Sequence, residues 1–231
     1  MSMNVKQFLK ILFIVTVTNS ICSKNICKIG DLVHLNQAIK EFAQTQDYPA
    51  LTRYKTCLAH YYTSGAYERD VQKACTSAWK ILLQIPVTPQ SLVIFDIDDT
   101  ALFQAPQLPF TTFIWPRQNN SFAPALKPVL YLYKQLIARG FNVIFLTARG
   151  QHTHAKTLQE LKRAGYTKFD QLILMPYQFA FNLAISPGNW KLNIRKQLAK
   201  QYTIVACIGD RPIDFEGGHT GYPVKLPNYL Y

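Results

Sequence analysis

The chain has 231 residues, with 25 Lys and Arg against 13 Asp and Glu for a formal net charge of +12, and is 48% hydrophobic and 13% aromatic. That is enough length and apolar content for one domain with a substantial core, and it excludes a disordered, collagenous or repeat-built chain. The positive balance suits anionic substrates or an acidic surface. It is spread thinly, without a helix-turn-helix, a zinc-finger spacing or a basic-aromatic run, so no specific nucleic-acid partner is expected.

Residues 1–22 read as a signal peptide. Lys6 and Lys10 precede or flank an apolar run over 8–18 that is too short to span a bilayer and is followed by Thr18-Asn19-Ser20. The other reading is an N-terminal helix of the mature fold. No Ala-x-Ala selects a cleavage point, so cutting after Ser20, Cys22 or Ser23 stays open. Cys22 raises lipid anchoring, but Ile21 stands before it where a lipobox wants a small residue, so membrane anchoring is not expected. A secreted or periplasmic product follows, and loss of Lys6 and Lys10 takes its charge from +12 to +10.

Residues 23–90 form an N-terminal helical region, with helical periodicity over 32–44, 50–62 and 67–83 and a break at Ser64-Gly65. If the last two make an antiparallel hairpin, Cys57 and Cys75 lie at nearly equal distances from its turn. A disulfide between them is then expected, closing a loop for about 3 kcal/mol. Cys27 competes as a partner for either, and reduced buried thiols are the other reading. Cys207, inside an apolar run, is expected to stay a free thiol.

From Ser91 onward, apolar strands alternate with helical patterns near 127–139, 153–164 and 190–200, as right-handed βαβ units require. The expected class is α/β, a parallel sheet flanked by helices. Gly140 and Gly165 stand just past two of the helices, where a left-handed cap is wanted. Residues 103–123 interrupt the pattern with a stretch rich in Pro, Phe and Gln.

The strand ends carry the chemistry. Leu92-Val93-Ile94-Phe95 runs into Asp96-Ile97-Asp98-Asp99-Thr100, and a buried parallel strand delivers its last side chains to the edge where ligands collect. Alone, such acids are as readily a helix N-cap or a turn. Val143-Ile144-Phe145-Leu146 then leads into Thr147-Ala148-Arg149-Gly150, Trp190-Lys191 opens a helix, and Val205-Ala206-Cys207-Ile208 leads into Gly209-Asp210-Arg211-Pro212-Ile213-Asp214. Taken singly, Lys191 reads as a solvated lysine and Thr147 as a satisfied strand-end hydroxyl. Converging on one sheet edge, Asp96, Asp98, Thr147, Lys191, Asp210 and Asp214 make a site for a divalent cation and a phosphate.

This order resembles the four motifs of the haloacid dehalogenase-like (HAD) superfamily of phosphohydrolases. The resemblance narrows through residues 61–70 (Tyr-Tyr-Thr-Ser-Gly-Ala-Tyr-Glu-Arg-Asp), Asp96-Ile97-Asp98-Asp99-Thr100-Ala101-Leu102, Lys191 with Arg195, and Lys225-Leu226-Pro227-Asn228. These resemble the secreted acid phosphatases, a subgroup that includes plant vegetative storage proteins and bacterial outer-membrane acid phosphatases. The likeness covers nearly all of the chain after the first thirty or so residues. Asp99 stands where that subgroup usually has Glu, and Arg211-Pro212-Ile213 replaces a more polar tripeptide.

The resemblance implies a Rossmann-like HAD core over 91–231, a minimal cap insertion at 103–123, and N-terminal helices that help roof the site with Tyr61, Tyr62 and Tyr67 near its entrance. Aromatic residues at helical spacing are also ordinary core. It implies a hydrolase, a Mg²⁺-dependent phosphomonoesterase with an acid optimum that acts on small phosphomonoesters. Asp96 would attack phosphorus to form an aspartyl-phosphate, and Asp98 would protonate the leaving oxygen and later activate water. Mg²⁺ would sit between Asp96, the backbone carbonyl of Asp98 and Asp210, with Asp214 holding a metal-bound water. Thr147 and the backbone N–H groups of Ala148 and Arg149 would bind phosphate oxygens, with Lys191 balancing charge. A carbon–halogen hydrolase needs no such general acid, so Asp98 argues for phosphate esters. The alternative is a storage or surface-interaction protein that keeps the fold with little turnover.

His152 and His154 could touch a substrate but read more simply as exposed residues of a first helical turn. No His or Cys spacing indicates zinc. Asn119-Asn120-Ser121 is a glycosylation sequon. Oligomeric state has no sequence signature here.

Overall fold

Five apolar segments pair into one parallel sheet in this computed structural model, which describes residues 32, 34–107, 111–115, 122–176 and 186–230. The strands are β1 (Ser91–Phe95), β2 (Asn142–Gly150), β3 (Gln171–Met175), β4 (Thr203–Gly209) and β5 (Tyr222–Lys225), in the order β3-β2-β1-β4-β5. All four pairings are parallel, with Phe95 level with Phe145 on one side and Ile208 on the other. The α/β class expected from the sequence is the one the chain adopts.

The order places β1 at the centre, and every one of its residues is buried, as a strand covered on both faces must be. From β1 the chain first moves outward through β2 and β3, then returns to the other side of β1 with β4. The point where that direction reverses lies between β1 and β4, the place where open α/β sheets bind ligands. Edge strand β5 contains Pro223, which has no N–H to give a ladder and is confined to edges for that reason.

The helices are α1 (Leu35–Thr45), α2 (Tyr48–Thr63), α3 (Ala66–Leu82), α4 (Lys127–Ala138), α5 (His154–Ala164) and α6 (Pro187–Leu198). One face of the sheet packs Leu92, Ile94, Ile144, Leu146, Met175 and Cys207 against Trp190 and Leu198 of α6. The other is aromatic: Tyr133 of α4 meets Tyr166 edge-on at 4.9 Å, and Phe145 meets Tyr166 at 5.4 Å. Helix α3 ends where Arg139 donates to the carbonyls of Leu82 (2.7 Å) and Ile85 (3.2 Å), the first of which also accepts from the Ile85 N–H at 3.2 Å in the closing turn.

By contact, the described residues fall into two units. One holds the residues up to Ser64 together with 105–115 and Tyr229 onward; the other holds 65–104 and 122–228. Of the region read as N-terminal helical, α1 and α2 lie in the first unit and α3 in the second. Within the first, Asp47 caps α2 by accepting from the Ala50 N–H at 2.8 Å, and Tyr61, Tyr62, Trp115 and Tyr229 pack edge to face. Tyr67, in the second, is buried and stacks on Phe103.

The expected Cys57–Cys75 disulfide does not form. Cys57 is disulfide-bonded to a partner outside the described residues, while Cys75 is a free, buried thiol. The reason is helical phase. Cys75 shares with Val71, Ala78 and Leu82 the buried stripe of α3, and burial pushes its thiol up to about 12. Cys207 is free and buried, as expected.

No helix among the described residues is long and apolar enough to cross a membrane. The signal-peptide reading, Cys22, Cys27, the sequon and part of the 103–123 insertion lie outside the described residues.

Candidate active site

Asp96 follows β1 and extends its pairing, donating its N–H to Ile208 O at 2.9 Å, which fixes its side chain at the edge between β1 and β4. The chain then turns tightly, with Leu102 N–H on Ile97 O (2.8 Å) and Asp99 N–H on Leu102 O (2.7 Å). Asp99 has φ 53°, a left-handed geometry that Asp tolerates, and its Oδ1 accepts from the Gln104 N–H at 2.9 Å.

Asp210 arrives from β4 on the adjacent strand end. Before it, Gly209 cannot carry a side chain, because a Cβ there would lie 2.4 Å from Asp214 Oδ2. The 3-10 turn Pro212–Asp214 brings Asp214 back to the site, and its Oδ2 accepts from the Arg211 N–H at 2.9 Å. Lys191 enters from the first turns of α6, whose start is set by Ser186 accepting from the Asn189 N–H (3.2 Å) and by Pro187.

These four side chains meet. Lys191 Nζ donates to Asp96 Oδ1 and to Asp214 Oδ1, each at 2.5 Å, and carboxylate oxygens of Asp96, Asp210 and Asp214 lie within 4.8 Å of one another. Asp210 is held at both oxygens, by Thr100 Oγ1 at 3.1 Å and by Asn228 Nδ2. Exposure is 8% or less for all four site residues.

The electrostatics follow from that burial. Desolvation holds the Asp96 carboxyl well above the ordinary range, with Lys191 opposing and Asp214, Asp210 and Asp98 adding to the rise. Asp210 is pushed up to about 6, by burial first and then by Asp214, against the hydrogen bonds from Asn228 and Thr100. Burial pulls the Lys191 ammonium down, but Asp96 and Asp214 more than offset it, leaving its pKa above the usual lysine value. Three carboxylates against one ammonium leave two negative charges uncompensated when all are ionised. An all-oxygen set with that deficit suits a hard divalent cation.

Asp98 lies apart from the three. Its carboxylate turns to Arg149, which donates from Nε at 3.1 and 3.0 Å and from Nη2 at 2.7 Å. The remaining edge of the guanidinium donates from Nη1 to Glu160 Oε2 (2.6 Å) and Thr157 Oγ1 (3.2 Å). Burial lowers the Arg149 pKa and the two acids more than restore it. Thr147 is buried two residues beyond the partner of Phe95 on β2, level with the Asp96 edge, and its Oγ1 accepts from the Arg149 N–H at 3.2 Å. Ala148 follows, half-buried, and His152 and His154 are exposed.

Thr100, Asn228, Thr157 and Glu160 received no role from the sequence. The first two sit inside segments that carried the family likeness, so a signal was present. Thr157 and Glu160 have only their i, i+3 spacing on α5, which any helix shows. Arg195 is buried too, donating from Nε to Gly218 O at 3.1 Å and from Nη2 to Glu216 O, which pins the loop after Asp214. Lys225 donates to Leu226 O at 2.8 Å; burial lowers its pKa, while Asp210 and Asp214 act to raise it.

Residues 23–231 match the family described as HAD superfamily, subfamily IIIB (acid phosphatase). The chain is 33% identical over 184 residues to the stem 28 kDa glycoprotein of Glycine max, covering 74% of this chain and 71% of that one. It is 31% identical to vegetative storage protein 2 of Arabidopsis thaliana (73% and 67% covered) and 25% identical to acid phosphatase 1 of Solanum lycopersicum (74% and 71%). Among solved structures, the class C acid phosphatase from Bacillus anthracis with tungstate bound has the same fold, with a TM-score of 0.60 at 17% identity over 77% of this chain and 84% of that one.

Proposed function

Because this chain belongs to the acid phosphatases of HAD subfamily IIIB, we propose that it hydrolyses small phosphate monoesters through an aspartyl-phosphate on Asp96, with Mg²⁺ as cofactor. The observation that carries this reading is the buried group of Asp96, Asp210 and Asp214 around Lys191. Asp96, Asp210 and the backbone carbonyl of Asp98 would hold the ion, with Asp214 beside them. When bound, Mg²⁺ offsets the repulsion between these carboxylates and a phosphate dianion.

In the first half-reaction an Asp96 carboxylate oxygen forms a bond to phosphorus as the ester P–O bond breaks, and the proton of Asp98 passes to the departing oxygen. In the second, Asp98 takes a proton from water as its oxygen attacks phosphorus. The Asp96–phosphorus bond breaks, releasing phosphate and restoring Asp96. Lys191, already bonded to Asp96, steadies the negative charge as it moves, while Thr147 and the N–H groups of Ala148 and Arg149 bind the phosphoryl oxygens. Arg149 keeps Asp98 oriented between the two steps.

The disulfide at Cys57 supports an oxidising destination, and with it the secreted or periplasmic reading and the signal peptide. A second reading, storage or surface interaction with little turnover, draws on the 31% identity to a vegetative storage protein. The intact nucleophile and acid favour the enzyme. The deciding experiment is hydrolysis of an aryl phosphate by the mature chain across pH, with Mg²⁺ and with excess EDTA. Turnover that depends on the metal is expected. No turnover at any pH with Mg²⁺ present favours the storage reading, and full activity after metal is stripped removes the cofactor assignment.

A further inference from the structure

We propose that Glu160 of α5 is a positioning residue for Asp98, acting through Arg149, and that it thereby sets how poor a leaving group the site can expel. The inference rests on the phosphatase reading above. Glu160 is 4% exposed, and a carboxylate is rarely buried that far unless paired. Its partner is Arg149 Nη1 at 2.6 Å; the exposed Lys156, at 3.9 Å, adds little. Thr157, one turn earlier and fully buried, accepts from the same nitrogen.

A guanidinium is rigid and planar, so anchoring one edge aims the other. The aimed edge holds both oxygens of Asp98, whose side chain is 38% exposed and stands at a loop, where orientation has to come from a partner. Among the described residues, Arg149 is the side chain that grips this carboxylate. Two acids also share its single charge, leaving less of it for a substrate phosphate. A buried arrangement of this kind is a costly way to gain stability and an effective way to fix geometry.

Protonation of the leaving oxygen matters most when that oxygen leaves poorly. The test therefore compares an aryl phosphate with an alkyl phosphate, using the mature chain, Glu160→Gln, Arg149→Lys and the double variant. Glu160→Gln should slow formation of the aspartyl-phosphate, read as kcat/KM, by roughly ten- to a hundredfold on the alkyl ester and by less than about threefold on the aryl ester, while hydrolysis of the intermediate, common to both esters, slows alike. Arg149→Lys should show the same graded loss, and the double variant should be no worse than the poorer single one, because the two act in series. An equal loss of kcat/KM on both esters, or a folded Glu160→Gln with kcat/KM unchanged on the alkyl ester, overturns the inference. Should Glu160→Gln not fold, Glu160→Asp, which keeps the charge and withdraws it by one methylene, is read by the same ratio. A wild-type chain that cleaves neither ester overturns the phosphatase reading, and this inference with it.

Discussion

Asp96 and Lys191 illustrate how one residue serves both fold and chemistry. Replacing Asp96 by Asn keeps the shape and removes the proposed nucleophile, so turnover should fall by roughly a thousandfold or more. Because Asp96 is a carboxylate held in a site already overloaded with negative charge, the same variant should melt no lower than wild type without metal. A loss of less than tenfold would rule out its assignment. Lys191→Met is the opposite case: it strands Asp96 and Asp214 without their shared cation, and breaking a buried pair from one side costs about 3–5 kcal/mol. Chemical denaturation of the metal-free protein measures this, and a cost below 1 kcal/mol would show that the acids are protonated there. Asn228→Ala tests the outer support. It frees one oxygen of Asp210 and should weaken binding of the proposed Mg²⁺ by about 10- to 100-fold, read by calorimetry, with little change in the fold.

At the scale of elements, β1, β2 and β4 were legible because each is an apolar run ending in charge or hydroxyl, and the helices of the sheet region lie within three residues of their expected starts. Strands β3 and β5 were not. Gln171–Met175 is a short apolar run that periodicity alone cannot tell from a helix, and Tyr222–Lys225 carries a proline that speaks against a strand unless its edge position is known. The convergence of Asp96, Asp210 and Asp214 was readable from their strand ends; that Asn228 braces Asp210 and Glu160 braces Arg149 is decided only by the fold. The misplaced disulfide has the same origin, for distance from a turn says nothing about which way a helix faces. Peptide mapping of unreduced protein should find Cys57 bonded and both Cys75 and Cys207 free. A Cys57–Cys75 crosslinked peptide would contradict the burial of Cys75 in the α3 stripe.

For the whole molecule, the raised Asp96 and Asp210 carboxyls tie stability to pH. Unfolded, an Asp titrates near about 3.9, so across the next units of pH the folded chain binds more protons than the unfolded one and loses stability as pH rises. The Asp210 share is fully present below about pH 4 and lost as pH passes about 6. Without metal, the melting temperature of wild type relative to Asp210→Asn should therefore fall between pH 4 and 7; saturating Mg²⁺ should remove the trend. A difference that grows with pH would refute it. The sheet has a further consequence at its β5 border. Pro223 offers no N–H there and Lys225 places a charge nearby, so a stray strand from another molecule finds an incomplete template. Concentrated protein should resist strand-by-strand aggregation along this side, and Pro223→Val, by restoring a donor and a β-branched side chain, should make it less soluble on storage.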